Sequence, residues 1–281
     1  MRFYILQINL MGMQVIMSPL SQSERKSVRS LQTAKGRDRH RQFLGEGVRL
    51  LEESLRHNCM PSKIYYAESQ LNDRGRSLLG RFRKDGVMVE AISHRTLEQI
   101  AETEHSQGII GVFAMPATDL GSVSREQVRT VIYFDNISDP GNVGTLLRSA
   151  LAFGLNLAVF SPHSVEPFNG KLVRSSAGAI FGLPIATASI AELHDYYGNG
   201  NMQILAADQH GEELPGVLRR LRRNKLLVIA IGSEGAGLSD AVQELLDVGI
   251  RIGHSRRVES LNAAVAGSII MQELYQRRIG K

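Results

Sequence analysis

Apolar positions along the chain fall into helical and strand-like runs that alternate. Phe43, Leu44, Val48, Leu51 and Leu55 recur at helical spacing and predict one helix over residues 43–55. "KIYYAE", "VMVEAI" and "GIIGVFAM" are short strand-like runs, and "SHRTLEQIAETEHS" between the last two has helical spacing behind a Ser93 cap. This alternation predicts an α/β layer domain. The polar, turn-rich stretch "PATDLGSVS" at residues 116–124 reads as a linker.

After it the alternation restarts. "VIYFD" is continuously apolar, as in a strand buried on both faces of a parallel sheet. In "NVGTLLRSALAFG", Val143, Leu146, Leu147, Ala150 and Leu151 make a helical stripe that stops at Gly154, with Asn142 as its expected cap. "LNLAVF", "MQILAAD", "KLLVIAIG" and "VGIRI" are further strands, and "ESLNAAVAGSIIMQELYQRR" is a final helix. The C-terminal half is therefore expected to be a parallel sheet with helices on both faces. The opening "MRFYILQINLMGMQVIM" fits neither pattern; residues 1–16 read as an extension before a normal start at Met17. The expected division is an extension with a basic arm over 1–35, one domain over 36–116, a linker over 117–128 and a second domain over 129–281.

A length of 281 residues suits two domains, and 43% hydrophobic with 22% charged residues excludes a wholly disordered chain. The lone Cys59 excludes intramolecular disulfides and cysteine-rich metal sites, and fits a reducing, cytoplasmic setting. It reads as a packed residue rather than a nucleophile. No run of 18 apolar residues predicts a membrane span. The net charge of +5 is concentrated. Arg25, Lys26, Arg29, Lys35, Arg37, Arg39 and Arg41 form one cluster; Arg219, Arg220, Arg222, Arg223 and Lys225 form a second; Arg251, His254, Arg256 and Arg257 form a third. Each alone could be a solvated face, but together they favour phosphate contacts. With only 6% aromatic residues and no Trp, base stacking on an aromatic sheet is not the expected mode.

Three constellations carry candidate chemistry. "DNISDPGNVGTLLRSA" follows the first strand of the second half, and turn and cap chemistry explains most of it. Capping does not explain Arg148. On a wheel of 100° per residue it lies about 120° from the middle of the apolar stripe, in line with Gly144. It is expected to project toward the carboxyl end of the sheet, where open α/β folds bind ligands. "IAIGSEGAGLS" spaces Gly232, Gly235 and Gly237 as G-x-x-G-x-G, which is neither the dinucleotide fingerprint nor a P-loop. Such glycines let a backbone approach a flat ligand or make a tight turn. "VESLNAAVAGSII" sets Ser260 and Asn262 at a helix entry followed by small residues that allow close packing.

In this order, the three motifs resemble the SpoU/TrmH family of RNA ribose 2′-O-methyltransferases, over the chain from about residue 131 to its end. "FLGEGVRLLEE" and "HSQGIIGVF" are more weakly similar to that family's substrate-binding domain, a ribosomal-protein-like α/β unit. The resemblance implies an RNA substrate-binding domain over 36–116 and a methyltransferase domain over 129–281. It also implies a trefoil knot, a homodimer and S-adenosylmethionine as cofactor, none of which composition or periodicity reveals. It assigns Asn142, Arg148, Glu234, Ser260 and Asn262 to catalysis, and Gly232, Ser233, Gly235, Gly237, Ile252 and Leu261 to the cofactor. The seven basic residues from Arg25 to Arg41 are the expected RNA contacts. One departure stands out: an Ile-Pro-Met-like strand end is usual before the third motif, whereas this chain reads Ile250, Arg251, Ile252, Gly253, His254.

The implied reaction is in-line attack of a ribose 2′-oxygen on a sulfonium methyl group. The donor is already activated, so no metal is expected, and the protein's tasks are alignment and help with the hydroxyl proton. Arg148, as a permanently charged planar fork, suits a bidentate phosphate clamp better than an unaided base. Asn142 and Glu234 are expected to orient Arg148 and the ribose, with Ser260 and Asn262 ordering the pocket. Structured RNA, ribosomal above transfer RNA, is the expected partner. A catalytically silent RNA-binding protein of this fold is the alternative, and the glycine spacing disfavours a nicotinamide-dependent oxidoreductase.

Overall fold

The structure, a computed structural model, describes residues 20–279 apart from 104, 105, 199, 223, 256 and 259. The excluded N-terminal stretch, Arg223, Arg256 and Glu259 thus lie outside the described residues. The chain divides into two compact units. The first runs to Pro116 and includes Phe168–Arg174; the second comprises Ala117–Pro167 and the chain from Ser175.

The first unit contains α1 (Gln22–Ser30), α2 (Ala34–His40), β1 (Gln42–Glu46), α3 (Val48–Arg56), β2 (Lys63–Tyr66), α4 (Asp73–Lys84), β3 (Met88–Ala91), α5 (His94–Ile100) and β4 (Ile109–Ala114). Its sheet has the order β1-β4-β2-β3, with β4 antiparallel to both neighbours and β2 parallel to β3. The expected helix over 43–55 is instead a strand and a helix. Phe43 and Leu44 pair with Phe113 and Val112 of β4, and the chain turns at Gly47 with φ 104° before α3 begins. Ladder hydrogen bonds and two-sided burial override the helical spacing there.

The expected basic arm is also corrected. Ser21 caps α1 by accepting from Glu24 N at 3.1 Å, and Leu20, Val28 and Leu31 are buried in a core with Leu44, Tyr65, Leu97 and Ile110. Residues 20–35 therefore form a wall of this unit. Arg37 is only 2% exposed and donates to the Leu31 carbonyl at 2.9 Å, so it presents no guanidinium to an outside phosphate. The segment Phe168–Arg174 packs here too: Phe168 lies 4.8 Å from Phe43 between ring centroids, and Arg174 pairs with Glu102, whose carboxyl burial pushes up against the pull of that guanidinium. Burial likewise raises the Cys59 thiol, in keeping with a packed cysteine.

The second unit contains β5 (Thr130–Asp135), α6 (Pro140–Ala152), β6 (Leu157–Phe160), α8 (Ala179–Gly182), β7 (Ile185–Thr187), α9 (Ile190–Tyr197), β8 (Met202–Glu213), α10 (Leu214–Arg220), β9 (Leu226–Gly232), α11 (Asp240–Leu245), β10 (Val248–Arg251) and α12 (Ala263–Ile279), while α7 (Gly170–Ser175) belongs to the first unit as far as Arg174. All strand pairs are parallel, in the order β10-β8-β9-β5-β6-β7. Val131, Tyr133 and Val228 pack with Leu193 of α9 and Val242 of α11, while Ile231 and α6 meet α12 at Gly267. Helices therefore cover both faces. The strand order reverses between β5 and β9, and crevices at the carboxyl ends of such a pair are where open α/β sheets bind ligands. One feature is absent from the sequence pattern. The β8–β10 ladder jumps from Gly249↔Ala206 to Ile250↔Glu212, so residues 207–211 leave the regular pairing and bulge out.

Candidate active site

The first motif enters α6 three residues earlier than its sequence suggests. Asp139, rather than Asn142, is the cap, accepting from Asn142 N at 2.7 Å, and Pro140 takes the first turn. Asn142 is thereby released from capping. Its Nδ2 donates to Glu234 Oε1 at 2.9 Å. Asn262 of the third motif does cap its helix: its Oδ1 accepts from Ala264 N at 2.9 Å and Val265 N at 3.2 Å. Its Nδ2 donates to the same Glu234 Oε1 at 2.6 Å and to Asn142 Oδ1 at 3.1 Å. Three motifs distant in sequence thus meet on one carboxylate oxygen.

Glu234 stands on a loop whose shape depends on its glycines. Ser233 and Gly237 exchange backbone hydrogen bonds at 3.0 and 2.9 Å, and Gly237 has φ 70°. A Cβ at Gly232 would lie 2.3 Å from Gly237 O, so this position tolerates only glycine without rearrangement. Gly235 differs. A Cβ there would meet nothing within 4 Å, and the residue does not line the adjoining cavity.

That cavity, of about 460 Å³, is bounded by Gly232, Ser233, Glu234 and Gly237 on one side and by Ser260, Leu261 and Asn262 on the other. Its size falls within the usual range of about 300–1,000 Å³ for small-molecule sites. Ala207, Ala230, Ala263 and Ala266 keep it open. A smaller recess of about 140 Å³ shares Ser260 and Leu261 with it and adds Ile252, Asp208, Arg251 and His254. Of the expected cofactor residues, Gly232, Ser233, Gly237 and Leu261 line the larger space, Ile252 the smaller, and Gly235 neither. Sequence reasoning missed Ala207 and Asp208, because only strand pairing reveals the bulge that carries them. Among the described residues, the larger cavity has one charged group, Glu234, and no Lys, Arg or His. This donor set fits a cationic ligand with a flat apolar body, such as S-adenosylmethionine, better than one bearing phosphates.

Arg148 is exposed on α6 and, among the described residues, has no hydrogen bond or ion pair. The structure thus leaves it outside the Asn142–Glu234–Asn262 cluster. Ser260 lines the cavity, and Asn262 takes the cap role between them. Lys26, Arg29, Lys35, Arg39 and Arg41 are exposed on the first unit, and Arg41 faces Asp38 at 3.6 Å. Arg25 is half-buried and donates to Gln99 Oε1 at 2.9 Å. In the second cluster Arg219, Arg220 and Arg222 are exposed, Arg220 pairing with Glu212. In the third, Arg251 donates to Glu213 at 2.7 Å. Among the described residues no helix is long and apolar enough to cross a membrane.

Comparisons with known proteins point the same way. Residues 129–272 match the SpoU rRNA Methylase family, and residues 23–111 match the MRM3-like substrate binding domain. The chain is 29% identical over 253 residues to the 23S rRNA (guanosine(2553)-2′-O)-methyltransferase RlmP of Bacillus subtilis, covering 89% of this chain and 94% of that one. It is also 29% identical over 251 residues to the 23S rRNA (uridine(2479)-2′-O)-methyltransferase of Streptomyces viridochromogenes, covering 86% and 85%. Among solved structures, the SpoU methyltransferase AviRb of Streptomyces viridochromogenes in complex with AdoMet superposes with a TM-score of 0.77 at 28% identity, over 92% of this chain and 99% of that one.

Proposed function

Because the chain belongs to the SpoU rRNA methylase family, we propose that it methylates a ribose 2′-hydroxyl in structured RNA, with ribosomal RNA as substrate and S-adenosylmethionine as methyl donor. The observation that carries this reading is the meeting of Asn142 and Asn262 on Glu234 beside the glycine-loop cavity. Two of the relatives act on 23S rRNA, by their names, and so favour ribosomal over transfer RNA.

When bound, the cofactor supplies a methyl group on a positively charged sulfur, ready for in-line displacement. The chain supplies the rest. Gly232, Ser233 and Gly237 form one wall of the cofactor site, with Leu261 opposite and Ile252 in the recess. The Glu234 carboxylate, fixed by two amide donors, is the one negative group lining the larger cavity among the described residues and favours a cation there. Asn142 and Glu234 orient the ribose, while Asn262 holds Glu234 and caps α12; Ser260 orders the cavity beside it. Arg148 is exposed on α6 and has no hydrogen bond or ion pair among the described residues, which suits a guanidinium that clamps an RNA phosphate and stabilises the developing alkoxide. A guanidinium stays protonated in proteins, which excludes it as an unaided base.

The first unit binds the RNA, with Lys26, Arg29, Lys35, Arg39 and Arg41 as phosphate contacts and Arg25 at their edge. The division at 117–128, a knotted C-terminal path, a homodimer and a cytoplasmic location belong to the same proposal. The test is nucleotide-resolution mapping of 2′-O-methylation with and without the gene, paired with methyl transfer by the purified protein. A ribosomal site that loses its mark, and regains it in vitro, is expected. Marks lost only from transfer RNA would move the substrate; no lost mark and no transfer would overturn the function.

A further inference from the structure

The helix α11 begins at a serine that does not cap it. Ser239 has N-cap backbone geometry, with φ −65° and ψ 155°, yet its side chain accepts no hydrogen bond from the helix. A serine in that position ordinarily satisfies a free N–H of the first turn. Here its hydroxyl is turned to Asp135 instead: Ser239 Oγ donates to Oδ1 at 3.0 Å, and Ser239 N donates to Oδ2 at 2.6 Å.

Asp135 is itself unusual. It is a carboxylate 2% exposed at the end of β5, and among the described residues Ser239 meets it and no cation does. A buried carboxylate needs its hydrogen bonds, so their arrangement is informative. Asp135 also stands opposite Gly232 in the β5–β9 ladder. Its backbone is therefore registered against the start of the glycine loop, while its side chain holds the residue just past the loop's end. Gln243 Nε2 adds a tie to Leu238 O at 2.8 Å. Between these ties run Ser233, Glu234, Gly237 and Leu238, which line the cavity. Asp135 does not line it.

We propose that Asp135 is a positioning residue for the cofactor loop, closing residues 232–239 into a fixed ring through Ser239, so that its loss weakens cofactor binding rather than RNA binding. Ser239 forgoes capping its own helix to make that closure. The inference rests on the reading of the larger cavity as an S-adenosylmethionine site.

The experiment combines calorimetric titration of S-adenosylmethionine with steady-state methyl transfer, varying cofactor and RNA separately, for Asp135→Ala, Asp135→Asn and Ser239→Ala. Hydrogen bonds to a buried charge are strong enough that Asp135→Ala should raise the cofactor Kd and KM by about tenfold or more. Its RNA KM should stay within about twofold, since none of the basic residues read as RNA contacts has changed. Asp135→Asn should stay within about threefold of wild type, because an amide can accept from Ser239 N–H and donate to its Oγ. Ser239→Ala, which keeps the backbone bond, should fall between the two. Wild-type cofactor affinity in a cooperatively melting Asp135→Ala chain would overturn the proposal. So would equal losses in the cofactor and RNA KM, the mark of a merely structural role. If Asp135→Ala does not fold, unchanged cofactor affinity in Ser239→Ala overturns it instead. A wild-type chain that binds no S-adenosylmethionine would overturn the function reading from which this one starts.

Discussion

Arg148 and Asn262 separate two ways in which one side chain can matter. Arg148 is exposed and, among the described residues, has no hydrogen bond or ion pair, so its substitution should leave stability alone and report directly on the reaction. Arg148→Lys keeps the charge but loses the planar fork. Both Lys and Ala variants are expected to lose about a hundredfold or more in single-turnover methyl transfer, by analogy with a lost transition-state donor, with cofactor affinity near wild type. Near-wild-type rates in Arg148→Ala would return the residue to a solvated helix face. Asn262 has two duties, and Asn262→Asp divides them. The carboxylate still accepts from Ala264 N and Val265 N, but it sets a like charge where Nδ2 now lies 2.6 Å from Glu234 Oε1. The expected result is a normal melting temperature with transfer slowed by about tenfold or more. Unaltered rates would show that the Glu234 contact is dispensable. The motif residues were legible in the sequence through the order of three motifs, whereas Asp135 was not, since an aspartate closing an apolar strand looks like any strand end.

Elements were legible in proportion to their length and burial. The continuous apolar runs of β5 and β9 and the capped start of α5 lie where patterning puts them. The three-residue β7 and the four-residue α8 are too short to carry a period, and nothing in the sequence pattern marked them. The β1–α3 break was hidden because Phe43 and Leu44 are buried in a strand at spacings a helix would also use. Glycines decide two elements in ways that spacing alone does not show. Gly144 lies inside α6, where alanine ordinarily stabilises by about 1 kcal/mol. A Cβ there would come within 2.0 Å of Ser175 Oγ and 2.7 Å of its carbonyl carbon. Gly144→Ala should therefore destabilise, by about 1–3 kcal/mol in denaturant unfolding, and a gain in stability would refute the close approach. In the glycine loop the contrast lies within one motif. Gly232→Ala should abolish measurable cofactor binding because its Cβ would strike Gly237 O, while Gly235→Ala, facing open space, should bind within about twofold of wild type. Equal affinities for the two variants would remove the Ser233–Gly237 hairpin from the site.

At the scale of the whole molecule, the basic cluster from Arg25 to Arg41 belongs to the folded first unit, and most of its side chains are exposed. Read as a flexible arm, the segment before residue 36 invites deletion as a test of RNA binding. The structure makes that test misleading, because Leu20, Val28 and Leu31 are part of the first unit's core and their removal would unfold what it was meant to probe. Charge substitution on the surface is the sound alternative. Lys26, Arg29, Lys35 and Arg39 are exposed and, among the described residues, lack ion-pair partners; Arg37 is excluded because it is buried. Changing these four to glutamine removes charge without touching the core, so the melting temperature should be unchanged. If each meets a phosphate, binding releases fewer condensed counterions, and the slope of log K against log salt should become shallower by about 0.7–0.9 per lost contact. The loss should be uniform across RNA sequences, because phosphate contacts position a nucleic acid without reading it. Cofactor affinity should stay at its wild-type value. A slope equal to that of the wild type, in a quadruple variant that melts normally, would return these four residues to a solvated face and leave the second and third basic clusters to account for RNA affinity.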